Sequence, residues 1–268
     1  MSDTILVDTP MEGVRRLTLN RPGALNAFTW EMYQRLLDRL ADIRIDPSVR
    51  VVILTGAGRG FCSGHDLKNA GPSPHDREGF GSAFNKRNSL RWLGAIPIAM
   101  RNLPQPIIGA INGVVAGVGY TLALASDMCV AGRSARFINT IHNAATGTEL
   151  GLSYMLPRAI GSQRAAELLL TSRPVDGEEA ERIGLVLRTV DDDILIEEAL
   201  KIARGVVANV PMGVELTKQS LWLNQSAGSL ESAIELESRA VQIAQATQDA
   251  GEKRAAFLEK RAPQFKMA

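Results

Sequence analysis

The chain has 268 residues, 45% of them hydrophobic and 22% charged, with 30 lysines and arginines against 29 aspartates and glutamates. This balance gives no global electrostatic pull towards nucleic acid or an anionic membrane, and leaves room only for a local basic site for a phosphorylated ligand. The length suits one large domain, or a core with a smaller appendage, and a substantial buried interior.

In chain order, strands are expected at 5–7 and 14–19, then a turn at Asn20-Arg21-Pro22-Gly23 and a helix over 29–43. Thr29 is placed to cap this helix, and Met32, Leu36, Leu37, Leu40 and Ile43 recur at helical spacing. Its arginines, Arg35, Arg39 and Arg44, are interleaved with Glu31, Asp38, Asp42 and Asp46, which makes a solvated face rather than a track for nucleic-acid phosphates. The β-branched strand at 51–55 runs into the turn Arg59-Gly60-Phe61-Cys62-Ser63-Gly64-His65-Asp66-Leu67. A small-residue turn between a strand and a helix leaves backbone N–H groups facing a ligand.

Residues 70–81, with Gly71-Pro72-Ser73-Pro74, are expected to be a surface loop in which His75 is solvated. A helix over 85–102 is closed by Pro104-Gln105-Pro106, and the apolar run 107–111 leads into a second turn, Asn112-Gly113-Val114-Val115-Ala116-Gly117-Val118-Gly119. Residues 107–126 are uncharged and about as long as a bilayer span, but Asn112, Tyr120, Thr121 and the glycines favour a buried strand, turn and helix. A third short strand is expected at 128–131, and from Gln163 onward the chain reads as almost wholly helical. Alternating strands and helices argue for an α/β fold with parallel pairing. A change of organisation near 205–211 divides a core, residues 1–204, from a helical region, residues 205–268.

Two cysteines, Cys62 and Cys129, sit in apolar settings, and no basic-then-apolar leader is seen at Met1-Ser2-Asp3, so a reduced, cytoplasmic protein is expected. The run Gly56-Ala57-Gly58-Arg59-Gly60 lacks the last glycine of the dinucleotide fingerprint, and no Gly-Lys-Ser/Thr closes it as a P-loop. No Gly-x-Ser-x-Gly elbow is present, which disfavours a serine hydrolase. Three dispersed histidines without Cys/His spacing give no metal site.

In order and spacing, the chain over about residues 5–265 resembles the crotonase (enoyl-CoA hydratase/isomerase) family. The segments that carry the likeness are Asn20-Arg21-Pro22 with Leu25-Asn26-Ala27, Phe61 to Leu67, Asn112 to Gly119, Leu156-Pro157-Arg158, Gly184-Leu185-Val186, and the tail Ala256-Phe257-Leu258-Glu259-Lys260-Arg261. The resemblance implies an α/β spiral of ββα units with a helical C-terminal trimerisation region, a homotrimer or dimer of trimers. It implies a coenzyme A thioester as substrate, with no separate cofactor. It assigns the backbone N–H groups of His65 and Val118 to an oxyanion hole, where two preorganised donors would stabilise charge on the thioester oxygen by roughly 3 kcal/mol each.

By the same resemblance Arg21 is a phosphate contact, and Ala24, Leu25, Ala27, Ser63, Asp66 and Leu67 are adenine or pantetheine contacts. Phe257 and Lys260 would reach the nucleotide from a neighbouring subunit, although Lys260 also reads as one member of a solvated helix end.

The chain departs from the hydratase pattern at both catalytic glutamates, because motif alignment puts Thr121 and Ile141 there. The acid that remains is Glu149, in Gly147-Thr148-Glu149-Leu150-Gly151, at a position that resembles the acidic residue of dienoyl-CoA isomerases and the nucleophilic aspartate of aromatic acyl-CoA dehalogenases. A carboxylate in an apolar pocket is raised towards neutrality and suits proton shuttling; the alternative is a helix-start carboxylate that only complements the dipole. The side chains of His65 and His142 are secondary acid/base candidates. Phe84, Leu90, Trp92 and Leu93 either line the acyl pocket or belong to the core. Double-bond isomerisation is the favoured expectation, hydration of a 2-enoyl thioester the close alternative, and a non-catalytic acyl-CoA- or RNA-binding protein the remaining one.

Overall fold

The computed structural model describes residues 3–142 and 146–267. The strands are β1 Ile5–Met11, β2 Val14–Leu19, β3 Val51–Gly56, β4 Gly60–Cys62, β5 Ile107–Ile111, β6 Val114–Ala116, β7 Met128–Gly132, β8 Arg136–Ile138, β9 Val175–Asp176 and β10 Arg188–Val190. Between and after them run α1 Trp30–Ile45, α2 Ser82–Leu93, α3 Ala95–Arg101, α4 Val118–Ala125, α5 Leu152–Ile160, α6 Ser162–Thr171, α7 Gly177–Ile183, α8 Leu195–Val207, α9 Pro211–Leu223, α10 Leu230–Gln245 and α11 Gln248–Glu259.

From β3 to β8 successive strands alternate between two sheets, and that makes the spiral. A six-stranded sheet takes the order β1-β2-β3-β5-β7-β10, and a four-stranded sheet the order β4-β6-β8-β9. Each turn of the chain therefore lays one strand in the large sheet, the next in the small sheet, and then a helix, as β3-β4-α2, β5-β6-α4 and β7-β8-α5 do. Pairing is parallel except for β1 with β2 and β8 with β9.

Strand β3 is buried along its whole length because helices and the small sheet cover both of its faces. Val52 and Leu54 enter the main core, while Val51 and Ile53 pack with Leu195, Ala199 and Ala203 of α8 on the opposite face. The period-2 alternation of strand side chains makes this split.

Two expectations change, and the buried strand, turn and helix expected over 107–126 is found. The helix expected over 85–102 is two helices with Gly94 between them. Pro97 has no N–H to give back to Leu93, so it is accommodated in the first turn of a new helix instead. The stretch after Gln163 is not wholly helical, because β9 closes the small sheet and β10 the large one. The run 107–126 is β5, β6 and α4, and among the described residues no helix is long and apolar enough to cross a membrane.

The link from α8 to α9 lies at 208–210, just beyond the 204/205 division. Helix α9 is fastened to the body by Lys218, which is buried with its ammonium 2.8 Å from Asp127 and donating to the carbonyls of Met100 and Gln105. Asp127 also accepts from the Trp222 indole at 2.6 Å, and Arg101 stacks on that ring. Beyond α9 the chain leaves Leu230, Ile234, Val241, Ile243, Phe257 and Leu258 exposed. On α1, Arg35 pairs with Glu31 and Asp3, Arg39 with Asp42 and Asp3, and Arg44 donates to the Asn102 carbonyl.

Candidate active site

The two small-residue turns meet because β4 and β6, which lead into them, are parallel neighbours with Gly60 beside Val114 and Cys62 beside Val115. At their crossing Gly64 has φ +109° and Gly117 φ +51°, conformations that side-chain-bearing residues rarely adopt. A Cβ on Gly117 would stand 3.1 Å from the Gly64 Cα and 4.0 Å from the His65 nitrogen. The backbones are thus in contact, and the next residue on each side is one of the two expected donors.

Neither donor is engaged by another backbone group among the described residues. Val118 opens α4, where an N–H has no partner within the helix. His65 makes a parallel bridge with Phe28 in which Phe28 donates to the Gly64 carbonyl and Asp66 donates to the Phe28 carbonyl, leaving the His65 N–H outside the exchange. Both residues line a cavity of about 990 Å³.

The wall behind the first turn is a polar clamp. Arg21 donates to the Asp66 carboxylate at 2.8 Å and to the Ala27 carbonyl, and Asp66 also accepts from the backbone of Lys68 and Asn69. Chiefly because of the Arg21 hydrogen bond, Asp66 is held down at about 2. Ser63 donates through its hydroxyl to Ala24 and through its backbone to Leu25. Asn26, fully buried, and Asn112 both donate to the Gly60 carbonyl, which fixes the link from β3 to β4. Ser63, His65, Leu67, Val118 and Glu149 therefore face the cavity, while Arg21, Ala24, Leu25, Ala27 and Asp66 form or brace the structure behind it. Phe257 and Lys260 do not line the cavity; they lie on the exposed end of α11.

Two carboxylates line the cavity among the described residues, Asp76 on the exposed loop and Glu149, half-buried, ahead of α5. Burial pushes Glu149 above its ordinary range, and the nearby Lys86 ammonium works against that shift. The Glu149 side chain takes no hydrogen bond from α5, whose cap residue is Gly151 and whose first turn holds no acid. Thr121 and Ile141, which the family pattern sets at the positions of the hydratase glutamates, are both buried and outside the cavity lining.

The histidines divide. Burial lowers His65, whose ring lies against those of Trp30 and Tyr33. His142 is exposed, lies outside the cavity lining and has its Nε2 at 3.0 Å from the Leu169 carbonyl, a structural anchor. His75, expected to be solvated, instead packs on Trp92 with ring centroids 4.5 Å apart. Of the apolar candidates, Leu90 and Leu93 line the cavity, whereas Phe84 stacks on Phe80 and Trp92 packs among the aromatic rings. Sequence reading missed Trp30, Tyr33 and Lys86, which also line it. Tyr33 alone carried a signal, a phenol on the buried face of an amphipathic helix.

The enoyl-CoA hydratase/isomerase profile matches residues 9–268. The chain belongs to this family. It is 46% identical over 234 residues to a protein of Mycobacterium bovis named a probable enoyl-CoA hydratase, a match covering 87% of this chain and 82% of that one. The crystal structure of a probable enoyl-CoA hydratase/isomerase from Mycobacterium abscessus superposes with a TM-score of 0.91 at 40% identity, covering 98% of this chain and 99% of the other. A structure described as a monofunctional enoyl CoA isomerase from M. smegmatis gives a TM-score of 0.73 at 43% identity, covering 86% of this chain and 98% of that one. Hydratase and isomerase names thus both occur among the relatives of this chain.

Proposed function

We propose that this family member isomerises the double bond of an enoyl-CoA thioester, with Glu149 as the group that moves the proton. The observation that carries this reading is that Glu149 is the one half-buried carboxylate in the cavity lining among the described residues, while the family pattern puts Thr121 and Ile141, both buried and outside that lining, where hydratases carry glutamates. Ionised Glu149 removes a proton from C2 of a 3-enoyl thioester, and the electron pair moves onto the thioester oxygen as a dienolate. The N–H groups of His65 and Val118 hold that oxyanion. The electron pair then returns through the new C2–C3 double bond to take the same proton from Glu149 at C4. No water is consumed, so no second carboxylate is required. The desolvation that raises Glu149 fits a base that must also give the proton back.

Of the CoA contacts that the resemblance implies, the adenine or pantetheine contacts Ser63 and Leu67 line the cavity, while Arg21, implied for a phosphate, and Asp66 pair with each other and hold the turn that presents His65. The exposed apolar residues of α10 and α11 support assembly into a homotrimer, which would bring Phe257 and Lys260 to a neighbour's nucleotide; light scattering of the purified protein tests this. The reaction is tested by supplying 3-enoyl, dienoyl and 2-enoyl thioesters separately and identifying the products. Migration of the double bond without gain of water supports the proposal. Conversion of the 2-enoyl thioester to a 3-hydroxyacyl product without migration removes it in favour of hydration.

A further inference from the structure

At the end of α11 Lys260 takes a left-handed conformation, φ 54°, and the residues that follow double back along the helix. Carboxylates from the first turns of α11 hold this return. Glu252 accepts from the Arg261 guanidinium on both oxygens and from the Gln264 N–H at 2.8 Å. Asp249, 3% exposed, accepts from the N–H groups of Lys266 at 2.7 Å and Met267 at 2.9 Å. Chiefly because of the Arg261 hydrogen bond, Glu252 is held down at about 2, so this clasp is ionised throughout the neutral range.

The returning segment also joins α11 to the body. The Phe265 ring lies 5.6 Å from the Arg50 guanidinium carbon and 6.0 Å from the Lys253 ammonium. Arg50 and Lys253 donate in turn to the carbonyls of Asn209 and Ala208, in the link from α8 to α9. Met267 lines a small cavity with Val49, Pro106 and Pro211. By contrast, Phe257 is 81% exposed and Lys260, also exposed, makes no ion pair with a described residue, so the direction of both follows that of α11. We propose that Asp249, Glu252 and Phe265 are positioning residues for the nucleotide end of coenzyme A: they clasp α11 so that Phe257 and Lys260 are in place before the ligand binds. This rests on the acyl-CoA reading and on the neighbour's nucleotide contact proposed with it. With the clasp released, α11 holds its binding direction for only a fraction of the time, and apparent affinity falls by that fraction. None of the three residues lines the acyl cavity, so the loss is confined to ligands that carry the nucleotide.

The test measures binding of butyryl-CoA and of butyryl-pantetheine, which lacks the nucleotide, by titration calorimetry to the wild-type protein, Glu252→Ala and Phe265→Ala, with light scattering for assembly. Wild-type protein should bind butyryl-CoA the more tightly. Each variant should lose about tenfold in affinity for butyryl-CoA and nothing for butyryl-pantetheine, with assembly unchanged. Phe265→Ala keeps both carboxylates and carries the test if Glu252→Ala fails to fold. Unchanged butyryl-CoA affinity, an equal loss for both thioesters, or a loss that accompanies a fall in assembly overturns the proposal. Equal wild-type affinities for the two thioesters overturn it together with the nucleotide contact and leave the acyl-thioester reading in place. No wild-type binding of either overturns both.

Discussion

Gly64 and Gly117 touch backbone to backbone, so closely that a methyl group on Gly117 would press to 3.1 Å from the Gly64 Cα. The contact lies directly before His65 and Val118, whose N–H groups are the proposed oxyanion donors. Gly117→Ala should therefore fold, because the strain is confined to one turn, but should lose roughly 100-fold in kcat as the donors are forced apart. Circular dichroism with steady-state kinetics checks both. Wild-type kcat in a folded Gly117→Ala protein would separate the glycine contact from catalysis.

Lys86 lines the same cavity as Glu149, and its positive charge works against the upward shift that burial gives the carboxyl. Removing the cation lets burial act unopposed, so the acid limb of the kcat/KM profile should move to higher pH in Lys86→Ala. The sign follows from a base that works ionised: raising its pKa raises the pH at which half of it is active. A limb that stays in place, or moves to lower pH, means that Glu149 does not govern it.

Arg21 and Asp66 brace the first turn from behind. Replacing Arg21 with Ala leaves a nearly buried carboxylate without its cation and should cost about 1.5–3 kcal/mol in denaturant unfolding near neutral pH. Asp66 is depressed in the folded state from 3.8 to about 2, so its contribution is complete above about pH 4 and is lost as pH falls through about 2. The stability gap between wild type and Arg21→Ala should narrow over that window. A gap constant down to pH 2 would place the cost elsewhere.

Lys218 and Asp127 join α9 to the sheet in a buried ion pair. Lys218→Ala strands the Asp127 charge, and a loss of about 3–5 kcal/mol is expected in equilibrium unfolding. A loss under 1 kcal/mol would show that the hydrogen bonds Asp127 accepts from the Trp222 indole and, at 2.6 Å, from the Ile107 N–H suffice.

What the sequence made legible was local. Thr29 caps α1 as its position implies, and the β-branched run that begins at Val51 becomes β3, because caps and strand patterns are written in adjacent residues. The two turns and the family were equally readable from their motifs. Strands β9 and β10 were not, since two or three residues are too few to show a period. Long-range partners were also hidden. Arg21 meets an acid 45 residues away, and His142 a carbonyl 27 residues away, so their charge and ring suggested phosphate binding and acid/base roles that pairing within the chain qualifies. Tyr33 and Lys86 were missed because only the packing of α1 and α2 decides which of their faces borders the cavity.

The most direct test of the account is turnover of a 3-enoyl-CoA by Glu149→Gln, measured beside its affinity for free coenzyme A. The amide keeps the shape of the side chain but cannot take a proton. Double-bond migration should fall by about 100-fold or more with coenzyme A affinity unchanged. Migration at the wild-type rate in the folded variant would contradict the assignment of Glu149 as the group that moves the proton.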